Sequence, residues 1–339
     1  MKYAPVIIPV LCRYKHFTKC IESLKNNGWA KYTDIYIGLD YPAKDSHVKG
    51  YKKILDYLEN NDFNVFNSFC VIKREYNLGS IVNEQKLIDE ILIKYDRFIR
   101  TDDDTEFSPC FLEYMDKALD KYENDNSIVA VTGYSYPCDY NYSDGATVMK
   151  EKFFCPMWGT GFWKNSYYNL KKWLSEEYIL HYQFKQKLKL KEYKNLIDAR
   201  FIDFVDAGLS WQKDKYVFLV SDIGISTFIG LNNKYVIYPV ESMVRNNGFD
   251  GSGITCPRID NNIFMKQEIN NSYTHEIIED KLNNLDINRN IVNIFDKRTK
   301  KQMLKAWLKI ILYKFLGEKL YKKYWFKYNK NKYDTFIED

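Results

Sequence analysis

Apolar residues along this chain come in short continuous runs, separated by stretches in which they recur every three or four positions. Residues 4–11, APVIIPVL, form the first run, followed by a polar turn and a helix-patterned segment to about Asn26. The run DIYIGL, 34–39, ends at Asp40 and precedes a helical pattern over about 48–60. VFNSFCVIKR, 65–74, reads as a third strand. After the loop EYNLGS, residues 80–95 place Ile81, Ile88, Ile91, Leu92 and Tyr95 on one helical face. RFIR, 97–100, is a fourth strand. Ser108 and Pro109 then supply a cap and a first helical position, and SIVAVTGY, 127–134, is a further strand. Short apolar strands alternating with amphipathic helices predict an α/β domain: a mostly parallel sheet covered by helices on both faces. Sheets of this kind bind ligands at the carboxyl ends of their strands. Asp40, the loop after Val10 and the triplet Asp102, Asp103 and Asp104 all fall at such ends.

Beyond residue 135 the pattern loosens. FFCPMWGTGFW, 153–163, is an aromatic and glycine cluster, and NNGFDGSGITC, 246–256, a glycine-rich loop. The stretch 261–296 is polar and Asn-rich, a connector in character. Residues 297–330 read as one or two basic amphipathic helices broken near Gly317. The chain thus divides into three units: 1–135, 136–260, and a connector with helical tail over 261–339.

Composition sharpens this picture in two places. Hydrophobic residues make up 45% of the 339 and aromatics 17%, enough for a core and against disorder. The formal charge of +5 is unevenly spread: 297–330 holds twelve Lys or Arg against Glu318 alone, so the body is slightly acidic. A nucleic-acid-binding body is therefore not expected. The seven cysteines are odd in number and lack a C-x-x-C pair, which argues against a disulfide framework or zinc site and for a reducing compartment. The N-terminal apolar run has no plausible cleavage site and reads as a strand, and no apolar run reaches membrane-spanning length.

The candidate chemistry centres on RTDDDTEFSPCF, 100–111. Adjacent carboxylates repel, and near a strand end they need water, a cation or hydrogen-bond donors. A solvated acidic turn is the plain explanation. The functional one is a hard cation, Mn²⁺ or Mg²⁺, held between carboxylate and phosphate oxygens. Neither a G-x-G-x-x-G after the first strand nor a P-loop is present. His16, His47, His181 and His275 lack metal-ligand spacing and read as surface or core residues.

The run DDDTEFSPCFLEYM resembles the E-D-D-x-x-x-S-P-x-F-x-x-Y-F signature of N-acetylglucosaminyltransferase I and related bacterial GT-A glycosyltransferases, including family 2. REYNLGSIVNEQKLIDEIL resembles the R-x-x-N-x-G stretch and helix that precede it there. YPVESMVRNNGFDGSGITC resembles the P-x-x-S-L-V-x-N-I-G-F-D-G-S-G-T-H-C ending of bacterial sugar transferases. The resemblance covers roughly residues 3–257. It implies a GT-A sheet whose half 1–135 binds the nucleotide sugar and whose half 136–260 binds the acceptor. It implies Asp104 as metal ligand, and Asp102 and Asp103 nearer the base and ribose. Asp40, Pro9, Val10 and Arg13 would line the nucleotide pocket, Arg74 and Gly79 would lie beside the diphosphate, and Trp158 and Gly159 near the donor sugar. GFDGSG would be a lid or diphosphate loop. It further implies an inverting reaction whose base is Asp222 or, less well aligned, Asp206. The usual tryptophan-flanked acid is missing at that point.

On this reading the donor is a nucleotide-diphosphate sugar and the acceptor a glycan or lipid-linked oligosaccharide. The basic tail 297–330 would lie on an anionic membrane at the cytoplasmic face; the plain alternative is a helix packed on the body. Two other functions stay open: a sugar-1-phosphate nucleotidyltransferase, and a non-catalytic sugar- or nucleotide-binding module of the same fold.

Overall fold

The computed structural model describes residues 2–152, 155–174, 222–252 and 263–282, with Lys301, Leu304, Leu308 and Phe315 of the tail. The strands are β1 (Val6–Val10), β2 (Asp34–Leu39), β3 (Ser68–Lys73), β4 (Arg97–Arg100), β5 (Thr105–Phe107), β6 (Ile128–Thr132), β7 (Val148–Glu151), β8 (Thr160–Trp163), β9 (Tyr235–Pro239) and β10 (Val244–Asn246). The helices are α1 (Tyr14–Lys25), α2 (Asp45–Asn60), α3 (Ser80–Ile91), α4 (Phe111–Tyr122), α5 (Lys164–Trp173) and α6 (Asp222–Asn232).

Eight strands form one sheet in the order β3-β2-β1-β4-β8-β6-β9-β7, while β5 and β10 pair as a small antiparallel ribbon. The pairs β3–β2, β2–β1, β1–β4 and β6–β9 are parallel. Only β8 and β7 run against their neighbours. The fold is thus the α/β, mostly parallel sheet that the alternation predicts. Its chain path reverses beside β1: β2 and β3 extend the sheet one way and β4 the other. Such a switch point opens a crevice at the strands' carboxyl ends.

Pro9 shows how the sequence widens that crevice. The carbonyls of Pro5 and Ile7 accept from Ile99 and Thr101, so odd positions of β1 face β4. Pairing with β4 stops at Ile7, and Pro9, with no N–H to donate, occupies the next position on that side. Across from it β1 stays paired with β2 through Val10.

Helix α1 buries Phe17, Cys20, Ile21 and Leu24 on one stripe. Helix α3 buries Leu87, Ile88 and Ile91 as the period requires, but Ile81 is 37% exposed. The helix begins at Ser80 on the sheet's rim, so its first turn overhangs the core. Helix α4 begins at Phe111, two residues beyond Pro109, and the Ser108 hydroxyl accepts from Cys110 N–H (3.3 Å) instead of capping a Pro109 start. Burial of α4 extends around both of its sides. The sheet covers one, and residues 263–282, within the expected connector, lie along the other. Lys117 donates to His275 O (2.8 Å), Lys121 to Ile277 O (2.9 Å) and Tyr122 OH to Glu279 (2.7 Å).

One buried acid in α4 gives a stability prediction. Asp116 accepts from Ala4 N–H (2.8 Å), and its other oxygen has no partner among the described residues. Burial pushes its pKa up to about 7, against the opposing pull of the Ala4 N–H and Arg97. The folded state therefore holds this proton where the unfolded chain releases it. Stability from this group is present below about pH 4 and is lost as pH rises toward 7. Asp116→Asn keeps the Ala4 acceptor and is expected to add about 2–4 kcal/mol at pH 8 while flattening the decline. Urea melts at pH 5 and pH 8 measure this; an unchanged pH slope in the variant would refute it.

Candidate functional site

The switch-point crevice gathers side chains from both of its walls. After β1 the chain turns into α1 through Arg13; after β4 it enters Asp102–Asp104. Arg13 Nη1 donates to Asp104 Oδ2 (2.7 Å) and Nη2 to Asp103 Oδ1. Asp103 and Asp104 are both buried. Burial pushes Asp103 up to about 7, with Arg13 pulling the other way and the neighbouring acids adding to the rise. Asp104 is raised by burial and by Asp102, again against Arg13. Asp104 Oδ1 is buried without any partner among the described residues.

A second arginine secures the triplet from below. Arg100, the last residue of β4, is buried and donates to Glu84 Oε2 on α3 (2.7 Å) and to Met157 O (2.6 Å), and it pairs with Asp102 Oδ1 (2.9 Å). It ties α3, the acidic turn and the loop before β8 into one unit. Two arginines thus face four carboxylates, Glu84 and Asp102–Asp104, leaving an excess of negative charge in a low-dielectric crevice.

The other expected donor-site residues divide. Asp40 Oδ1 accepts from Leu78 N–H (2.8 Å) and Tyr41 N–H (3.0 Å), and Oδ2 from Asn77 (3.3 Å). It holds the 75–79 loop against the end of β2. Arg74 turns away from that loop: it grips Glu90 (2.8 and 3.2 Å) and Asn83 (2.9 Å) on α3. Gly79 precedes α3 with φ of 76°, a turn that requires glycine. Pro9 and Val10 lie at the end of β1.

The second half brings an aromatic wall and a strap. Trp158 is half-buried, edge-on to Tyr134 (4.9 Å) and to Phe249 (6.0 Å). Trp163 is core, donating to Leu119 O (3.1 Å). Gly159 has φ of 65°, and a Cβ there would meet Phe111 and Val244 at 2.9 Å. Segment 246–252 crosses the aspartates. Asn247 N–H donates to Asp104 O (2.8 Å), and a Cβ on Gly248 would lie 2.1 Å from Asp104 Oδ2, so only glycine fits. Asp222 opens α6 near Cys155; its carbonyl accepts from Ser226 Oγ (2.6 Å), which in turn accepts from Cys155 N–H (3.0 Å). Asp206 lies outside the described residues.

Comparison with known proteins finds likeness only in three dimensions. The sequence matches no protein-family profile and no curated protein. Residues 1–349 of TarS from S. aureus, solved with UDP, are 13% identical over 65% of this chain and 76% of that one, with a TM-score of 0.37. The mannosyltransferase PcManGT from Pyrobaculum calidifontis, solved with GDP-Man and Mn²⁺, is 10% identical over 68% and 74%, with a TM-score of 0.35. Against a longer TarS structure the chain covers 24% of that protein's length, with a TM-score of 0.30. Likeness this remote leaves the chain's own geometry as the ground for a functional reading.

The residues fit a hard divalent cation. Among the described residues no three His, Cys, Asp or Glu side chains form a self-sufficient cage. One carboxylate with an open oxygen, in a site short of positive charge, suits an ion that takes its other ligands from phosphate and water.

Sequence reasoning missed Arg100 and Glu84; Gly248 lay within the GFDGSG loop it had marked. Glu84 had a signal: it falls on the apolar stripe of α3 together with Ile88 and Ile91, and a charge on a core face implies a buried partner.

Proposed function

We propose that this chain is an inverting, metal-dependent GT-A glycosyltransferase. It would move a sugar from a nucleotide-diphosphate sugar to a glycan or lipid-linked acceptor, in surface polysaccharide assembly. One observation carries the reading: Asp104, with an open carboxylate oxygen, meets Arg13 across the switch point of a mostly parallel sheet. Breaking a sugar–phosphate bond leaves a diphosphate gaining negative charge, and preorganised positive charge there lowers the barrier. A Mn²⁺ or Mg²⁺ ion held by Asp104 supplies such charge to the diphosphate when bound. Arg13 opposes the protonation that burial favours at these carboxylates and fixes them in place, and Arg100 orients Asp102. Trp158 offers a flat face for a sugar ring. Asp222 or Asp206 would take the acceptor's hydroxyl proton from the opposite side.

A nucleotidyltransferase is disfavoured because PVLCRYKHF lacks the glycine-rich loop that should come after its first strand. A non-catalytic module would bind nucleotide without turnover. The test is a thermal-shift panel of UDP, GDP and their sugars with and without Mn²⁺, followed by donor turnover. About 2–3 kcal/mol of Mn²⁺-dependent stabilisation is expected at a hundredfold excess over Kd. Stabilisation by none of them would overturn the reading, and binding without any turnover would favour the module.

The basic tail belongs to the same proposal, as an anchor at the cytoplasmic membrane face. Leu304, Leu308 and Phe315 are helical and 61%, 47% and 80% exposed, an apolar stripe beside a run of lysines. No helix among the described residues is long and apolar enough to cross a membrane. Apolar and basic stripes side by side suit the surface of an anionic leaflet. In flotation with phosphatidylglycerol vesicles, the full chain is expected to float, and to stop floating in about 1 M salt or without residues 297–339. Equal binding by both forms would refute it.

A further inference from the structure

The histidines carried no assignment in the sequence, yet one of them joins the strap to the first helix. His16, in the first turn of α1, places Nε2 3.0 Å from Asp250 Oδ2 and 3.1 Å from Ser252 Oγ, across more than two hundred residues of chain. A carboxylate only accepts, so Nε2 carries the hydrogen. Ser252 N–H donates to Asp250 Oδ1 (2.9 Å), which turns the other oxygen toward His16. The imidazole is 16% exposed and the Asp250 carboxylate 39%.

The strap that His16 holds has four further attachments. Asn246 pairs with Thr105 in the β5–β10 ribbon, and its side-chain Oδ1 accepts from Gly248 N–H (2.7 Å). Asn247 N–H donates to the carbonyl of Asp104, and Gly248 packs on the Asp104 carboxylate. Phe249 stacks on Phe264 (4.7 Å) and meets the edge of Trp158. The strap therefore touches both the open carboxylate and the aromatic wall. Beyond Phe249, His16 supplies its tie to the β1 side of the crevice.

We propose that His16 is a positioning residue: it fastens the 246–252 strap across Asp104 and makes that strap one wall of the diphosphate site. The wall's effect on donor rests on the glycosyltransferase reading; the clasp itself does not. With the β1-side tie cut, the strap keeps the β5–β10 ribbon, the Asn247 bonds and Phe249, and loses the described contact that fixes its 250–252 end. Gly248 then no longer holds the Asp104 carboxylate against Arg13. Donor binding should weaken more than chemistry slows, because His16 does not touch the reacting atoms.

The experiment uses the full chain as wild type, His16→Ala and His16→Gln. Glutamine can donate the same bond through Nε2; alanine cannot. In hydrogen–deuterium exchange, His16→Ala is expected to speed exchange of the Asn247, Gly248 and Ser252 amides about tenfold, the worth of one charge-assisted hydrogen bond, and His16→Gln to restore protection. Amides of β1 and β2 should not change. With UDP, GDP and Mn²⁺ as probes, Kd and donor KM should rise about tenfold in His16→Ala, with kcat altered less than about twofold. Unchanged exchange over 246–252 in His16→Ala, or equal loss in both variants, would overturn the clasp. Faster exchange with unaltered nucleotide affinity would overturn its role at the site. If the wild type binds no nucleotide, the donor reading fails while the exchange result still decides the clasp.

Discussion

Asp104→Asn is expected to lower kcat/KM for donor turnover by about 10²–10³ while leaving the protein folded, the loss typical of removing one preorganised charge-stabilising group. The carboxylate is buried, raised in pKa by burial and by Asp102, and open at Oδ1. In the absence of a cation it therefore destabilises the fold. Asparagine removes the surplus charge and keeps an acceptor for Arg13, so the melting temperature should hold or rise. A group whose removal improves stability and abolishes turnover is serving function. Steady-state kinetics with a Mn²⁺ titration, alongside thermal melts, measure both effects. Full activity in the folded variant would remove the site from consideration.

Arg100→Met should produce the largest loss of stability, about 3–5 kcal/mol, because it leaves Glu84 buried without its cation. Glu84 is buried, and burial already pushes its pKa up despite Arg100. The same substitution frees Asp102 and releases the carbonyl of Met157, loosening the loop that carries Trp158. Adding Glu84→Gln to Arg100→Met should recover part of the loss, since the amide no longer demands a counter-charge. Urea melts of the two single variants and the double variant measure the coupling. Additive effects would show that the two side chains do not act as a pair.

Much of the first half was legible because its β-strands, apart from the three-residue β5, are short runs rich in apolar residues that end in a polar turn. The run 34–39 coincides with β2, and RFIR with β4. That pattern alone puts Asp40 and Asp102–Asp104 at strand ends. What those side chains grip was not legible. Arg74 reaches Glu90 on α3, and Asp40 binds its own neighbouring loop, because hydrogen-bond partners depend on helix rotation that spacing does not specify. The contact of Arg13 with the aspartates crosses from one β-strand end to another about ninety residues away. Residues 263–282 offered no signal either. They are held largely by single hydrogen bonds to backbone carbonyls, and such bonds impose no hydrophobic period.

That last segment sets where the chain can be shortened. Ended at residue 260, it would strip Lys117, Lys121 and Arg245 of the carbonyl oxygens that receive them, and would bare the outer flank of α4 to water. Ended after residue 282, it keeps every one of those acceptors and removes the rest of the connector together with the basic tail. The deeper cut would confuse damage to the folded body with loss of the tail, whereas the shallower one separates the two.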